Sequence, residues 1–444
     1  MIKIFIQNKF LAEKKYVLNF IFGEIFKTEY EILIDNEPLY RFVSDNCRLI
    51  IDDVFFSGFE DGYKYYKSSM NIPKEVDFMT CEGFDFAFPV LFGKDELRNE
   101  DGFIFCGNDI IAAIFFMLTR WEEIANNSKD IHNRFNEKEN LSIKFGFHKR
   151  PVVNDYISAL VKMLNDSGIE VALNNREFRV FLTHDVDYIA RYDKFGKIVK
   201  ALLGDIFRRK SVKTFLKTFK AVCKQKFAKA TDVYDKFDFL MDISEKKNLK
   251  SNFYFIPGLK TEKDVQYSIF HKNVKNIIKK IKNRNHIIGI HPSYSSFNNS
   301  SQLRKEFNRI SSFVDGVSEG RQHYLRYLIP QTFRDWEACN LKVDSGIGFY
   351  ADIGFRAGIC YEYPIFDIEL RNQLALRERP LIVMDTALRA KYKTKENCLN
   401  QVLKIANIVK SYNGDFVLLW HNSNLVVNEW EGWDSIYKEI VEGI

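Results

Sequence analysis

The stretch Phe178-Arg179-Val180-Phe181-Leu182-Thr183-His184-Asp185-Val186-Asp187 decides how this chain is read. Its first five residues have the apolar, β-prone character of a strand, and the strand runs directly into an imidazole and two carboxylates. Asp185 and Asp187 are two residues apart, so on extended chain they point to the same side. One can then ligate a cation while the other holds or deprotonates a water.

Just upstream, the polar run Asn174-Asn175-Arg176-Glu177 closes a helix-like segment, Asp155–Leu173. The domain boundary is placed there. Residues 1–176 form a smaller α+β domain of unknown role, and residues 177–444 carry the chemistry. The first part mixes strand-like runs (Tyr30–Ile34, Arg48–Ile51) with one clear helix beginning at Asn108-Asp109, where Asp109 can cap. It holds no catalytic constellation.

Beyond residue 177 strands alternate with helices: strands at 252–256, 286–290, 380–384 and 416–420, helices at about 272–283, 301–314 and 396–412. Repeated β-α units predict an α/β fold with a parallel sheet, open or closed into a barrel. In such barrels the chemistry sits at the carboxyl ends of the strands. Four strands here end in a polar group: Leu182 runs into Thr183–Asp187, Ile290 into His291, Met384 into Asp385, and Trp420 into His421. Together they predict a site. Imidazole beside carboxylate suits zinc, iron, cobalt or nickel better than calcium, and His421 is left to act as general acid.

Length and composition set the wider frame. A chain of 444 residues exceeds what one core usually organises. Its 46% hydrophobic content, with 41 Phe and 21 Tyr, is that of a packed protein rather than a disordered one. The net charge of +6, from 65 basic and 59 acidic residues, gives no ground for a nucleic-acid partner. The densest basic stretch, Arg208 to Lys226, has apolar residues interleaved at helical spacing. It reads first as the solvated face of an amphipathic helix or an inserted excursion, with contact to an anionic glycan or membrane surface as the alternative.

Seven scattered cysteines with no C-x-x-C pair speak against a disulfide framework or a cysteine zinc site. The amino-terminal run lacks the apolar core and small-residue cleavage site of a secretory signal, and no segment has the apolar length of a transmembrane helix. The expected compartment is the cytoplasm.

Leu182–Asp187 resembles the first motif of the polysaccharide deacetylases, usually T-F-D-D. Gly289-Ile290-His291-Pro292-Ser293-Tyr294-Ser295 is similar to the second, H-[ST]-x-x-H, and Leu418-Leu419-Trp420-His421 to the closing L-x-H. The resemblance spans residues 177–444. With Arg321-Gln322-His323-Tyr324-Leu325-Arg326, the Gly354-Phe355-Arg356-Ala357-Gly358 loop and Ile114–Glu123, it extends to a chitooligosaccharide-deacetylase-like branch bearing an extra N-terminal α/β domain. That branch is associated with bacterial surface-polysaccharide biosynthesis.

What the resemblance implies is a deformed (β/α) barrel that hydrolyses an N- or O-linked acetyl group on a carbohydrate with one divalent metal, most readily zinc. Asp185 would be the base, Asp187 and His291 metal ligands, and His421 the acid. The family's second histidine falls on Ser295, a poor zinc ligand, and His323 is the replacement considered. Arg321 and Arg356 are equal candidates for the arginine that orients the base. Aromatic side chains near the rim, Tyr294, Trp420 and Phe355 among them, would stack on sugar. Two other readings stand beside this one: hydrolysis of a non-peptide C–N bond in a small molecule, and a non-catalytic glycan-binding or scaffold protein with a degenerate metal site.

Overall fold

The computed structural model describes residues 1–444 except 46, 81–82, 85, 101–102, 193–194, 228–230, 259–262 and 265–266. Cys81 therefore lies outside the described residues; the other six cysteines are free thiols. The fold is mixed α/β. No described helix is long and apolar enough to cross a membrane.

Contacts divide the chain into two compact units. The first comprises Met1–Arg179, Leu325–Ile382 and Ile408–Phe416; the second comprises Val180–Tyr324, Val383–Asn407 and Val417–Ile444. The sequence places a single boundary at 176/177; the opening stretch of the first unit runs to Arg179, and that unit also takes in two later stretches.

In the first unit a six-stranded mixed sheet runs in the order Tyr30–Asp35, Ile2–Gln7, Leu39–Ser44, Cys47–Asp52, Phe103–Asn108, Gly93–Glu100. The Ile110–Thr119 helix is apolar on all sides and every one of its residues is buried, as a helix without a polar face must be. Asp109 caps it, accepting from the Ala112 amide at 3.0 Å and from the Val54 and Phe55 amides at 2.9 and 3.0 Å. At its far end Arg120 adopts a left-handed conformation and pairs with Glu122 and Glu123 at 2.9 and 3.1 Å.

The strands wholly or mostly in the second unit lie in the order Glu319–Gly320, Ile287–Ile290, Ser251–Phe255, Arg179–Val186, Asp415–Leu419, Val383–Met384. Ser251–Phe255 pairs in parallel with both its neighbours, Ile290 with Gly320, and Val383–Met384 with Leu418–Leu419. Ser251–Phe255 is buried at every position, as a central parallel strand covered on both faces is. Helices at Lys272–Asn283 and Ser300–Ser311 fall where the sequence spacing predicts. The strand expected at 380–384 is reduced to Val383–Met384.

Two glycines decide how closely the strands approach the site. A Cβ on Gly289 would meet the Glu319 carbonyl at 2.4 Å and the Tyr254 ring at 2.6 Å, and one on Gly320 would meet the Ile290 carbonyl at 1.9 Å. Only hydrogen fits at either place. The Tyr254 ring so admitted lies 5.2 Å from the Arg321 guanidinium, and its hydroxyl donates to Glu319 at 2.8 Å.

Candidate metal centre

Alternation along Arg179–Val186 sends Thr183 and Asp185 to one side and His184 to the other. His184 is fully buried and structural. Its Nδ1 donates to the Trp420 carbonyl at 2.7 Å, which leaves Nε2 to accept from the Ser251 hydroxyl at 3.1 Å. Burial, working against that carbonyl and nearby Asp185, holds its pKa down at about 4, so the ring is neutral.

Asp185 is buried. One carboxylate oxygen accepts from the Arg321 guanidinium at 2.8 Å, and the other lies 3.7 Å from His291 Nε2. A second nitrogen of Arg321 donates to Thr183 Oγ1 at 3.0 Å. Burial pushes the Asp185 pKa up, but the charge of Arg321, joined by His291 and His421, brings it below the usual carboxylate value. Asp185 is therefore ionised at neutral pH.

Asp187 follows the strand end and is 23% exposed, yet its Oδ1 is buried and accepts no hydrogen bond among the described residues. Around that oxygen stand His291 Nε2 at 3.5 Å and His323 Nε2 at 3.6 Å. The ligand atoms of Asp187, His291 and His323 all lie within 4.8 Å of one another. Ligands about 2.0–2.2 Å from a tetrahedral zinc are about 3.3–3.6 Å apart, which is how far both imidazole nitrogens stand from the Asp187 oxygen.

Both imidazoles are oriented from behind. His291 Nδ1 donates to the Arg321 carbonyl at 2.6 Å, and His323 Nδ1 to Asp264 Oδ1 at 3.3 Å. Each hydrogen bond fixes the tautomer that turns a bare Nε2 toward Asp187, the arrangement metal-binding histidines use. Asp264 is itself held, accepting from the Tyr294 amide at 2.5 Å. Burial works against the charged form of His291, but Asp185 and Asp187 together raise its pKa. Asp187 is held well below the carboxylate range, because the three histidines outweigh its burial.

His421 completes the ring from another strand end. Its Nδ1 donates to Asp385 Oδ1 at 2.8 Å, its amide to Asp385 Oδ2 at 2.9 Å, and its Nε2 lies 3.7 Å from Asp187 Oδ2. Burial lowers the pKa of this ring, but the Asp385 charge and hydrogen bond, with Asp187 and Asp185, raise it to about 10. His421 is therefore protonated at neutral pH.

The structure thus brings Asp185, Asp187, His291, Arg321, His323 and His421 together. Ser295 is exposed, and its hydroxyl pairs with Ser293 Oγ at 2.9 Å. Arg356 does not join them. It belongs to the first unit, buried, with Nε and Nη2 donating to Glu123 (3.0 and 2.7 Å) and Nη1 to the Gly348 carbonyl (2.9 Å). The glycines that make its loop look like a ligand cradle serve packing instead: a Cβ on Gly354 would meet the His148 carbonyl at 2.4 Å, and one on Gly358 the Met117 side chain at 2.8 Å. Phe355, in the same loop, has no exposed surface.

Trp420 is likewise buried. Its ring packs on Trp433 and Tyr437 with centroids 6.2 and 5.4 Å away, and its indole N–H donates to the Asn424 carbonyl, so no face of it meets solvent. Tyr294 keeps a part-exposed ring, edge-on to Tyr324 at 5.2 Å, and Tyr324 in turn stands 4.6 Å from the His323 ring. Tyr324 (37% exposed) and Tyr188 (42% exposed) both have their pKa raised, by burial first and then by the Asp187 charge, which marks them as neighbours of the triad.

Sequence reasoning left two orienting carboxylates without a role. Asp385 was visible as a strand-end residue but not as the partner of His421, and Asp264 carries no motif at all.

Residues 2–168 match a family described as of unknown function, DUF7033. No curated protein matches the chain.

Proposed function

We infer that the second unit is a metal-dependent hydrolase that removes an N- or O-linked acetyl group from a carbohydrate, in the manner of the polysaccharide deacetylases and on a deformed (β/α) barrel. The observation that carries this reading is the Asp187, His291 and His323 triad, with an ionised Asp185 on one side and a protonated His421 on the other. The motifs at 182–187, 289–295 and 418–421 support the same reaction class.

Asp187, His291 and His323 would hold the cation; when bound, it supplies a Lewis acid and lowers the pKa of water at the site. Asp185, fixed by Arg321, has its second oxygen turned to the His291 side of the triad and takes the proton of the attacking water. His421, kept charged by Asp385, donates a proton to the departing amine or alcohol. Tyr188, Tyr294 and Tyr324 offer rings for sugar stacking. His323 in place of the missing family histidine favours this reading over a degenerate, non-catalytic site.

The test is acetate release from N-acetylated chitooligosaccharides and O-acetylated sugars by zinc-loaded protein. Release that is lost in Asp185→Asn supports the proposal. Release that survives in Asp185→Asn, or none with either substrate class from a protein that does bind zinc, contradicts it.

A further inference from the structure

Between Asp187 and the Phe237–Lys246 helix the second unit carries a helical excursion: Phe195–Leu203, a π-helical turn at Gly204–Arg208, and Val212–Phe227. Residues 195–227 hold ten basic side chains and one acidic, a net +9, while the whole chain carries only +6. The single acid, Asp205, is buried and already paired with Arg209 at 2.6 Å. The outward charge is therefore wholly positive.

The apolar side chains of the excursion face the wrong way for a globular protein. Along Val212–Phe227, Val212, Leu216, Phe219 and Phe227 form one stripe at helical spacing and are 75, 51, 49 and 86% exposed. Thr214, Thr218 and Ala221, small and mostly polar, instead face the groove that this helix makes with Val426 and Val427. Lys213 and Lys220 each follow a stripe residue and so line one flank of it, while Lys217 turns to the groove. In the preceding segment Phe195, Leu203, Ile206 and Phe207 are 81, 47, 46 and 73% exposed. Phe195, Val199, Leu203 and Phe207 line a shallow apolar groove edged by Lys200 and Arg208. Large apolar side chains exposed in such groups mark an interaction site.

We propose that residues 195–227 dock the protein on an anionic phospholipid membrane surface, the apolar stripe entering the interface while the flanking lysines and arginines meet the lipid phosphates. Charge complementarity selects this occupant: amphipathic helices with exposed Phe and Leu beside a Lys/Arg flank bind through buried apolar area plus attraction to anionic lipid. The +9 charge opposes pairing this face with a second copy of itself, and a purely acidic polymer would leave the phenylalanines uncovered. The excursion is also tied to the candidate metal centre. Asn422, next to His421, donates to the Tyr188 carbonyl at 2.7 Å and the Tyr234 carbonyl at 2.8 Å, clasping the two stems together, and Lys217 pairs with Glu431 in the same loop. Docking would hold the His421 loop beside the membrane. The proposal stands on this surface and does not require the metal or the deacetylase reading.

The test is flotation of the full chain with vesicles of phosphatidylcholine alone or with phosphatidylglycerol added, at low and at raised salt. The protein is expected to float with the phosphatidylglycerol vesicles, less so as salt rises, and the Leu216→Glu/Phe219→Glu double variant is expected to bind at least about tenfold more weakly with unchanged thermal melting. No flotation with anionic vesicles overturns the proposal. Binding that the double variant retains in full also overturns it, since that is adsorption by charge alone. A dimer in solution that the same variant converts to monomer assigns the face to a second copy instead.

Discussion

The carbonyl of Arg321 accepts the Nδ1 proton of His291 at 2.6 Å, while the guanidinium of the same residue holds Asp185 at 2.8 Å. One residue thus sets the tautomer of His291, a candidate metal ligand, through its backbone and the ionisation of Asp185, the proposed base, through its side chain. The two functions are separable by mutation.

Arg321→Lys keeps the backbone carbonyl and removes the planar fork that reaches both Asp185 and Thr183. Metal content is expected to stay near that of the parent, while turnover falls by about 10²-fold or more, the size of a general-base contribution. Equal loss of metal and activity would mean that Arg321 acts only by holding the site together.

Asp385→Asn removes the charge that keeps His421 protonated up to about pH 10. A general acid works while protonated, so a lower pKa moves the alkaline loss of activity to lower pH. The pH–rate profile of Asp385→Asn is expected to fall off at least about one unit earlier than the parent's. An unshifted limb would remove His421 from the acid role.

His184 titrates at about 4 folded, below the ordinary histidine value in the unfolded chain. Between those two values the unfolded chain binds more protons, so stability rises with pH and is lost as pH falls from about 6.5 towards 4. The shift corresponds to about 3 kcal/mol in total. Urea midpoints measured across that range should fall for the parent and fall less for His184→Asn; parallel slopes would contradict the assignment.

Arg356→Ala leaves the buried Glu123 without one of its two arginine partners. It is expected to destabilise the protein by about 3–5 kcal/mol, the cost of breaking a buried pair, while a chelator-stripped sample still takes up metal in full under native conditions. Loss of metal uptake by a still-folded variant would return Arg356 to the site.

The strand ends were legible because strand periodicity and the first polar residue after it are local features. Asp185, Asp187, His291 and His421 could be named on that basis, and so could the helices at 272–283 and 301–314. The two arginines could not be separated from sequence, because the glycines around Arg356 signal close approach without saying to what; here the neighbours are His148 and Met117. Trp420 was misjudged because its position beside His421 suggests exposure, whereas successive side chains leave a strand end on opposite sides and the indole is buried among Trp433 and Tyr437. His323 sits in a short turn whose next residue, Tyr324, has φ of 62°. Only the tertiary fold carries its Nε2 to Asp187.

The most direct test of the central claim is the metal content of purified protein, stripped with chelator and reloaded with zinc, for the parent, His323→Ala and Ser295→Ala. The account predicts near one zinc per chain in the parent and in Ser295→Ala, and its loss in His323→Ala. Full zinc in His323→Ala, or none in the parent at any zinc concentration short of precipitation, would contradict it.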